Sequence, residues 1–309
     1  MQHLHTLNDL HLGSAWITIG SFDGVHRGHQ SLINQLVAGA HHNGAPVVVV
    51  TFFPHPAVVL RGIQSPFYLT HPDERAALLG DLGVDYVVTL HFDHAMAQQT
   101  AQEFMAALSA QTGLKQLWVG QDFALGRNRQ GDVHQLTAIG QLLGYELHLV
   151  SLVPENEDII SSSRVRKLIQ SGDVERAATY LGRLYDVSGE VIHGDERGRT
   201  LGFPTANLDF WPQRLLPANG VYATWLWLDG RRLPSVTNVG TRPTFKEEPV
   251  QPNVEAYVLD FDQDIYGRQV RLEFVRQLRP ELRYDDVQAL IDQMYLDMDQ
   301  TREVLKHAD

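Results

Sequence analysis

Residues 16–33 read WITIGSFDGVHRGHQSLI, and this stretch decides the fold of the first half of the chain. It opens as an apolar β-rich run and leads into QSLINQLVAGAHH (30–42), whose apolar residues recur at helical spacing. Between strand and helix stand Gly20, Gly24 and Gly28, with Phe22 and Asp23 in the same loop and His26 and His29 at the helix entry. Glycines let a turn approach a ligand closely. The free N–H groups and positive dipole end of a helix attract phosphate. Two histidines three apart near one helix turn point the same way, and would donate hydrogen bonds to a nucleotide's phosphates and stabilise charge on a leaving pyrophosphate. Two further readings stand beside this one. The histidines merely cap the helix, or they begin a zinc site, which needs a third ligand that the sequence does not advertise.

Outward from that stretch, strand candidates at 15–20, 46–53, 84–90, 116–120 and 146–153 alternate with helix-length amphipathic segments such as HPDERAALLGDLG, TAQEFMAALSAQ and HQLTAIGQLLG. Several of these end at a glycine suited to a helix C-cap. The βαβα rhythm predicts a parallel sheet with helices on both faces, with ligands at the carboxyl ends of its strands. After the helical segment SSRVRKLIQSGDVERAATYLG the rhythm changes to β-rich runs at 185–193, 221–228, 233–239, 254–261 and 269–277. Leu228-Asp229-Gly230-Arg231 carries an Asp-Gly hairpin signal. A small antiparallel barrel follows from that pattern, and YDDVQALIDQMYLDMDQTREVLKHAD, apolar at helical spacing, predicts a closing helix. The expected boundary lies near Leu184, giving domains 1–184 and 185–309.

A length of 309 residues is roughly twice the ~100–200 typical of one domain. With 43% hydrophobic and 20% charged residues, the chain has the composition of a folded protein. The net charge of -12 argues against nucleic-acid or anionic-membrane partners, which call for a basic face. It leaves room for a small phosphorylated ligand whose charge bound magnesium offsets. The longest apolar stretch, 47–53, is far short of the ~20 residues that span a bilayer. No signal or transit pattern opens the sequence. The absence of cysteine rules out disulfides and thiolate sites and fits a reducing compartment, so cytoplasm is the expected location.

The glycine–histidine stretch is followed, in order, by VVVVTFFPHPAVVL, YLTHPDERAALLGDLGVDYVV, VGQDFALGRNRQGDV and ISSSRVRKLI. Together they resemble the N-terminal module of the bacterial bifunctional riboflavin kinase/FAD synthetases, of the nucleotidylyltransferase superfamily, over residues 15–180. The resemblance implies a Rossmann-like sheet and an attack by the FMN phosphate on the α-phosphorus of ATP. FMN is already an anion, so positioning and charge neutralisation do most of the catalysis. In this family the ISSTxxR-like segment closes over the ATP phosphates. That implies phosphate contacts from Ser161, Ser162, Arg164 and Arg166, and an arginine suits the task because its fork binds phosphate oxygens and stays protonated. Asp122 and Asn128 are implied flavin and nucleotide contacts, or loop residues satisfying local backbone. Phe53 stands where an acidic residue often precedes Pro-His-Pro, Leu125 where an aromatic is common, and Ser163 where threonine is frequent. The Pro54-His55-Pro56 turn is also readable as a rigid strand terminator.

In the second half, HGDERGRTLGFPTANLDF (193–210) is by glycine content alone a long hairpin loop. Thr205 and Asn207, with one residue between them on an extended segment, face the same side and offer oxygen ligands suited to Mg²⁺ bridging ATP phosphates. No P-loop motif occurs. The order of residues closely resembles the riboflavin kinase signature, which implies nucleotide contacts at Gly194, Gly198, Gly202 and Pro204. SVTNVGTRPTF and NVEAYVLDFDQDIYG resemble further family segments. They make Asn238 and Arg242 flavin or nucleotide neighbours, and Glu255 the general base that takes the proton from the riboflavin hydroxyl. Tyr257 stands where many relatives have histidine.

The resemblance thus implies two reactions, riboflavin and ATP to FMN and ADP, then FMN and ATP to FAD and pyrophosphate. Mg²⁺ accompanies ATP, no organic cofactor is tightly bound, and no particular oligomer is indicated. Two other functions remain open at this point. One is a nucleotidylyltransferase for another phosphorylated substrate with an accessory barrel, and the other is a flavin-binding module without catalysis.

Overall fold

The computed structural model describes residues 1–64, 66–150, 160–194, 202–241, 252–282, 284 and 286–307. The chain forms two compact units. The first comprises Met1–Gln64 with Tyr68–Ser162, the second Ser65–Phe67 with Ser163–Asp309.

The first unit is built on six strands: β1 (Gln2–Leu4), β2 (Ala15–Ile19), β3 (Val47–Phe53), β4 (Tyr86–His91), β5 (Leu114–Gly120) and β6 (Glu146–Val150). Every neighbouring pair is parallel, in the order β1-β4-β3-β2-β5-β6. The helices are α1 (Arg27–His42), α2 (Pro56–Arg61), α3 (Pro72–Asp81), α4 (Ala101–Thr112) and α5 (Val133–Leu143). Strand periodicity sorts the core. Val48 and Val50 of β3 face the cluster that includes Phe104 and Leu108 of α4 and Leu136 of α5, while Val47 and Val49 face Leu36 of α1 and Leu79 of α3. Each such burial contributes about 1.5–3 kcal/mol, and a one-residue slip would exchange the two faces. Helices therefore cover both faces, as the βαβα rhythm predicts. Gly62, Gly113 and Gly144 close α2, α4 and α5 in the left-handed conformation. The strand order reverses between β2 and β5. The crevice beyond their carboxyl ends is thus the topological switch point where such sheets bind ligands.

Three details depart from the sequence expectation. The three-residue edge strand β1 was not foreseen. Helix α2 is a short turn started by Pro56 with His55 as its cap. Of the expected 146–153 strand, 146–150 are strand and the remainder lies outside the described residues.

In the second unit, α6 (Ser162–Gln170, all but its first residue) and α7 (Val174–Leu181) precede six strands. These are β7 (Tyr185–Ile192), β8 (Ala206–Phe210), β9 (Gly220–Leu228), β10 (Arg231–Thr241), β11 (Pro252–Val258) and β12 (Gln269–Pro280). They close an antiparallel barrel in the order β10-β11-β8-β7-β12-β9, with β9 pairing back to β10. Tyr185, Val187 and Val191 are buried, whereas Ser188, Glu190 and Ile192 point outward. Asp229 and Gly230, with φ of 51° and 77°, make the β9–β10 turn in the type I′ form that matches strand twist. The PTAN segment, a loop by glycine content and extended by the Thr205–Asn207 spacing, runs directly into a barrel strand. Helix α8 (Val287–Leu305) packs on β9, β10 and β12. A bidentate pair fixes it: Arg279 Nη2 lies 2.7 Å from Asp297 Oδ2, and Nε lies 3.0 Å from Oδ1.

Candidate active sites

In the first unit the loop after β2 turns sharply. Phe22, Gly24 and Val25 have φ of 47°, 83° and 40°. His26 is the N-cap of α1, its Nδ1 accepting from the His29 N–H at 3.3 Å. An accepting Nδ1 leaves the proton of a neutral ring on Nε2. The two imidazoles stack with centroids 3.6 Å apart, and Phe22 packs edge-on to His29 at 5.0 Å. This explains the middle glycine of H-x-G-H, because a Cβ on Gly28 would stand 3.2 Å from His26 Nδ1. The capping reading is therefore correct for His26, and it is compatible with a phosphate site, since capping is what orients the stacked pair. No group of three His, Asp or Glu that could hold a metal ion occurs among the described residues.

Behind the loop, Asp23 is fully buried and accepts from the Leu69 and Thr70 N–H groups and the Thr70 hydroxyl, each at 3.1 Å. Ser162 Oγ donates to the Asp23 carbonyl at 2.8 Å, which docks the ISSS segment on the loop. Gly20, Phe22, Asp23, Gly24, His26, Gly28, His29 and Ser162 thus come together, with Ser161 beside them in the chain.

Beyond the carboxyl ends of β2, β3, β4 and β5 lies a cavity of about 480 Å³, walled by Phe52, Phe92, Phe104, Phe123 and Leu125 and reached by Asp122. Its size falls in the usual range for small-molecule sites, ~300–1,000 Å³. Gly20 lines it too. Asn128 is exposed, with φ of 55°, and is not part of that wall. Arg129 is, and its Nη2 donates to the Asp122 carbonyl at 3.0 Å. Phe53 packs on Tyr68 at 5.4 Å, and His55 caps α2 by accepting from the Ala57 N–H at 3.0 Å.

Arg164 and Arg166 lie on α6 in the second unit. Arg166 Nε donates to the Phe67 carbonyl at 2.9 Å with its guanidinium 3.9 Å from the Phe67 ring centroid, and Arg164 lies over Tyr180 at 5.5 Å.

The barrel carries its own site. Gly194, Gly202, Pro204, Thr205 and Asn207 line a cavity of about 470 Å³. Register places Asn207 opposite Glu255, and Glu255 opposite Asn238, so the three form a row on the outer face across β8, β11 and β10. Asn207 is 4% exposed. A Cβ on Gly194 would overlap its amide, so glycine is what lets the chain just past β7 lie against it. Asn253 Nδ2 donates to Glu255 Oε1 at 2.5 Å, holding the carboxylate on that face. Tyr257 packs edge-on to Phe203 at 5.6 Å, and Phe203 in turn meets Tyr295 of α8 at 5.3 Å. The tyrosine thereby wedges the GFPTAN segment against the helix. Gly198 and Arg242 lie outside the described residues.

Sequence reasoning missed Arg75. It shares the buried stripe of α3 with Pro72, Ala76 and Leu79. An arginine on an apolar helical stripe was the signal available.

A parallel sheet that opens a helix N-terminus at its switch point, in a chain with a closed barrel bearing oxygen donors beside a carboxylate, is an arrangement compatible with a two-site nucleotide-dependent transferase. Residues 9–164 match the FAD synthetase family and residues 181–305 the riboflavin kinase family. The chain belongs to the family of bifunctional riboflavin kinase/FAD synthetases. It is 36% identical over 296 residues to the bifunctional riboflavin kinase/FMN adenylyltransferase of Escherichia coli K12, covering 95% of this chain and 94% of that one. The enzyme of the same description from Bacillus subtilis 168 is 33% identical over 298 residues, covering 96% and 94%. A solved structure described as a macrolide-efflux protein from Streptococcus pneumoniae has a TM-score of 0.88 and 31% identity, covering 97% of this chain and 98% of that chain. No helix among the described residues is long and apolar enough to cross a membrane.

Proposed function

We propose that the chain carries out both reactions of its family, phosphorylating riboflavin to FMN in the barrel half and adenylylating FMN to FAD in the sheet half, with residues 1–184 and 185–309 as the two functional divisions. The observation that carries this reading is the barrel's register. Asn207, Glu255 and Asn238 stand opposite one another on three neighbouring strands, an oxygen donor for a cation beside a carboxylate.

In the barrel, Thr205 and Asn207 line the cavity with hard oxygen donors of the kind Mg²⁺ prefers. Such an ion, when bound with ATP, would neutralise charge on the transferring phosphate. Glu255 accepts the proton from the riboflavin 5′-hydroxyl as that oxygen bonds to the γ-phosphorus and ADP departs. Asn253 keeps the carboxylate turned toward the row. Gly194, Gly202 and Pro204 shape the nucleotide cavity, and Asn238 orients the acceptor.

In the sheet half, the FMN phosphate attacks the α-phosphorus of ATP and pyrophosphate leaves. An ionised phosphate is already the nucleophile, so the residues position and neutralise rather than abstract a proton. His26 and His29 at the start of α1 donate to the phosphates, with Ser161, Ser162, Arg164 and Arg166 as further phosphate contacts. The aromatic cavity reached by Asp122 suits the planar flavin ring system.

The test is incubation of the full chain with riboflavin, ATP and Mg²⁺, followed by chromatography. FMN appears first and FAD follows. Absence of FMN from riboflavin overturns the barrel assignment, and absence of FAD from supplied FMN overturns the sheet assignment.

A further inference from the structure

Phe203 is 3% exposed and stands immediately before Pro204 and Thr205. Two tyrosines from different elements meet its ring edge-on. The Tyr257 ring of β11 lies 5.6 Å away between centroids with the planes at 72°, and the Tyr295 ring of α8 lies 5.3 Å away at 70°. Gly202 turns the chain left-handed just before Phe203, with φ of 89°, and β8 begins only at Ala206. The stretch from Phe203 to Thr205 thus lies outside the strand, and its buried ring ties it to the barrel and to the closing helix. On β11, Tyr257 follows Glu255 at the strand's period of two, so both point to one face. Register sets Asn207 opposite Glu255 and Ala206 opposite Ala256. One step further along the two chains, Thr205 comes abreast of Tyr257, and both line the same cavity.

We propose that Tyr257 and Tyr295 are positioning residues for riboflavin phosphorylation: their rings clamp Phe203 from two sides and so seat the Thr205 hydroxyl at the cavity. Pro204, with its φ locked by the pyrrolidine ring, is a stiff link that carries the placement of the Phe203 ring to Thr205. The closing helix, anchored to the barrel through Asp297 and Arg279, thereby becomes part of the kinase site. An edge-on ring pair shifts an equilibrium by about two- to twelvefold beyond the area it buries. Affinity for a ligand of the seated segment falls with the fraction of chains in which the segment is seated.

This inference rests on the reading of Thr205 as a cation ligand, and the experiment separates the two. The parent, Tyr295→Ala, Tyr257→Leu, Tyr257→Phe and Thr205→Val are compared as full chains. Amide hydrogen exchange over residues 203–207 is followed without ligand, because local opening sets its rate. The free Mg²⁺ needed for half-maximal riboflavin phosphorylation is measured at saturating ATP. Tyr295→Ala and Tyr257→Leu should each speed exchange in that stretch by about two- to twelvefold. They should also raise the Mg²⁺ requirement by at least about twofold and by no more than that factor. At saturating Mg²⁺ the kcat and the KM for riboflavin should stay within about twofold of the parent, a split that general loss of folded chain does not produce. Tyr257→Phe keeps the ring and should match the parent in both readouts. Tyr295 is 56% exposed, so Tyr295→Ala decides the matter even where Tyr257→Leu does not fold. Parent-like exchange in Tyr295→Ala, or faster exchange at the parent's Mg²⁺ requirement, overturns the proposal. A Thr205→Val chain with the parent's Mg²⁺ requirement overturns the ligand reading beneath it, and the proposal falls with that reading.

Discussion

Replacing Gly194 by alanine tests how tightly the barrel site is built. The added Cβ would overlap the amide of Asn207, meeting Nδ2, Cγ and Oδ1 together. The amide has little room to retreat, because Asn207 is 4% exposed and its backbone is registered between Ile192 and Glu255. Overpacking of this kind costs about 1–3 kcal/mol. The larger effect falls on chemistry, since a shift of about 1 Å in a positioning group costs ~10²-fold in rate. Riboflavin phosphorylation by Gly194→Ala should therefore drop about 10²-fold, with a higher Mg²⁺ concentration needed for half-maximal rate. FMN formation is followed by chromatography across a Mg²⁺ series, and FAD formation from supplied FMN serves as the internal control. A folded variant that phosphorylates riboflavin within threefold of the parent at the parent's Mg²⁺ requirement would show that Asn207 does not hold the cation.

Other expectations follow from buried polar groups. Asp297→Ala removes the carboxylate that pairs with Arg279 at 3% exposure and should destabilise the second unit by about 3–5 kcal/mol; kinase activity should be lost at a lower temperature than adenylylation. Tyr145 donates to the Leu136 carbonyl at 2.8 Å, and burial raises its pKa from 10 to about 12. The fold favours the protonated phenol, so its contribution is complete below pH ~10 and is lost as pH rises from there through about 12. Tyr145→Phe should cost about 1 kcal/mol at pH 8 and flatten the alkaline loss, as read by denaturant titrations at pH 8 and pH 11. Gly28→Ala, which crowds His26 Nδ1 at 3.2 Å, should slow FAD formation by about tenfold to 10²-fold, less than the ~10²–10³ of a donor lost outright because the ring is displaced rather than removed, with riboflavin phosphorylation unchanged.

The sequence discloses architecture where one residue pattern serves one face. The Val47–Phe53 run, the glycine-closed helices and the Asp229-Gly230 turn all fold as local periodicity and turn chemistry demand. It is silent where structure depends on a distant partner. Strand β1 is three residues paired only to β4, too short to carry a period. Strand β8 hides in a glycine-rich stretch because its pairing with β7 and β11 is a property of the closed barrel. The candidate residues were legible as motifs, yet their arrangement was not, since register alone puts Asn207, Glu255 and Asn238 in one row. Arg75 was missed because a charged residue on the buried stripe of α3 reads as a break in the helical pattern.

The central claim is that two chemistries occupy two separate sites in one chain, and the crossed pair Glu255→Gln and His29→Ala tests it most directly. Each variant is assayed for riboflavin to FMN and, separately, for FMN to FAD, at saturating ATP and Mg²⁺. Glu255→Gln should lower the first reaction by ~10²–10⁴, the usual contribution of a positioned base, and spare the second. His29→Ala should lower the second by ~10²–10³, the usual cost of one charge-stabilising donor, and spare the first. Loss of the same reaction in both variants, or of both reactions in either folded variant, would contradict the division of labour.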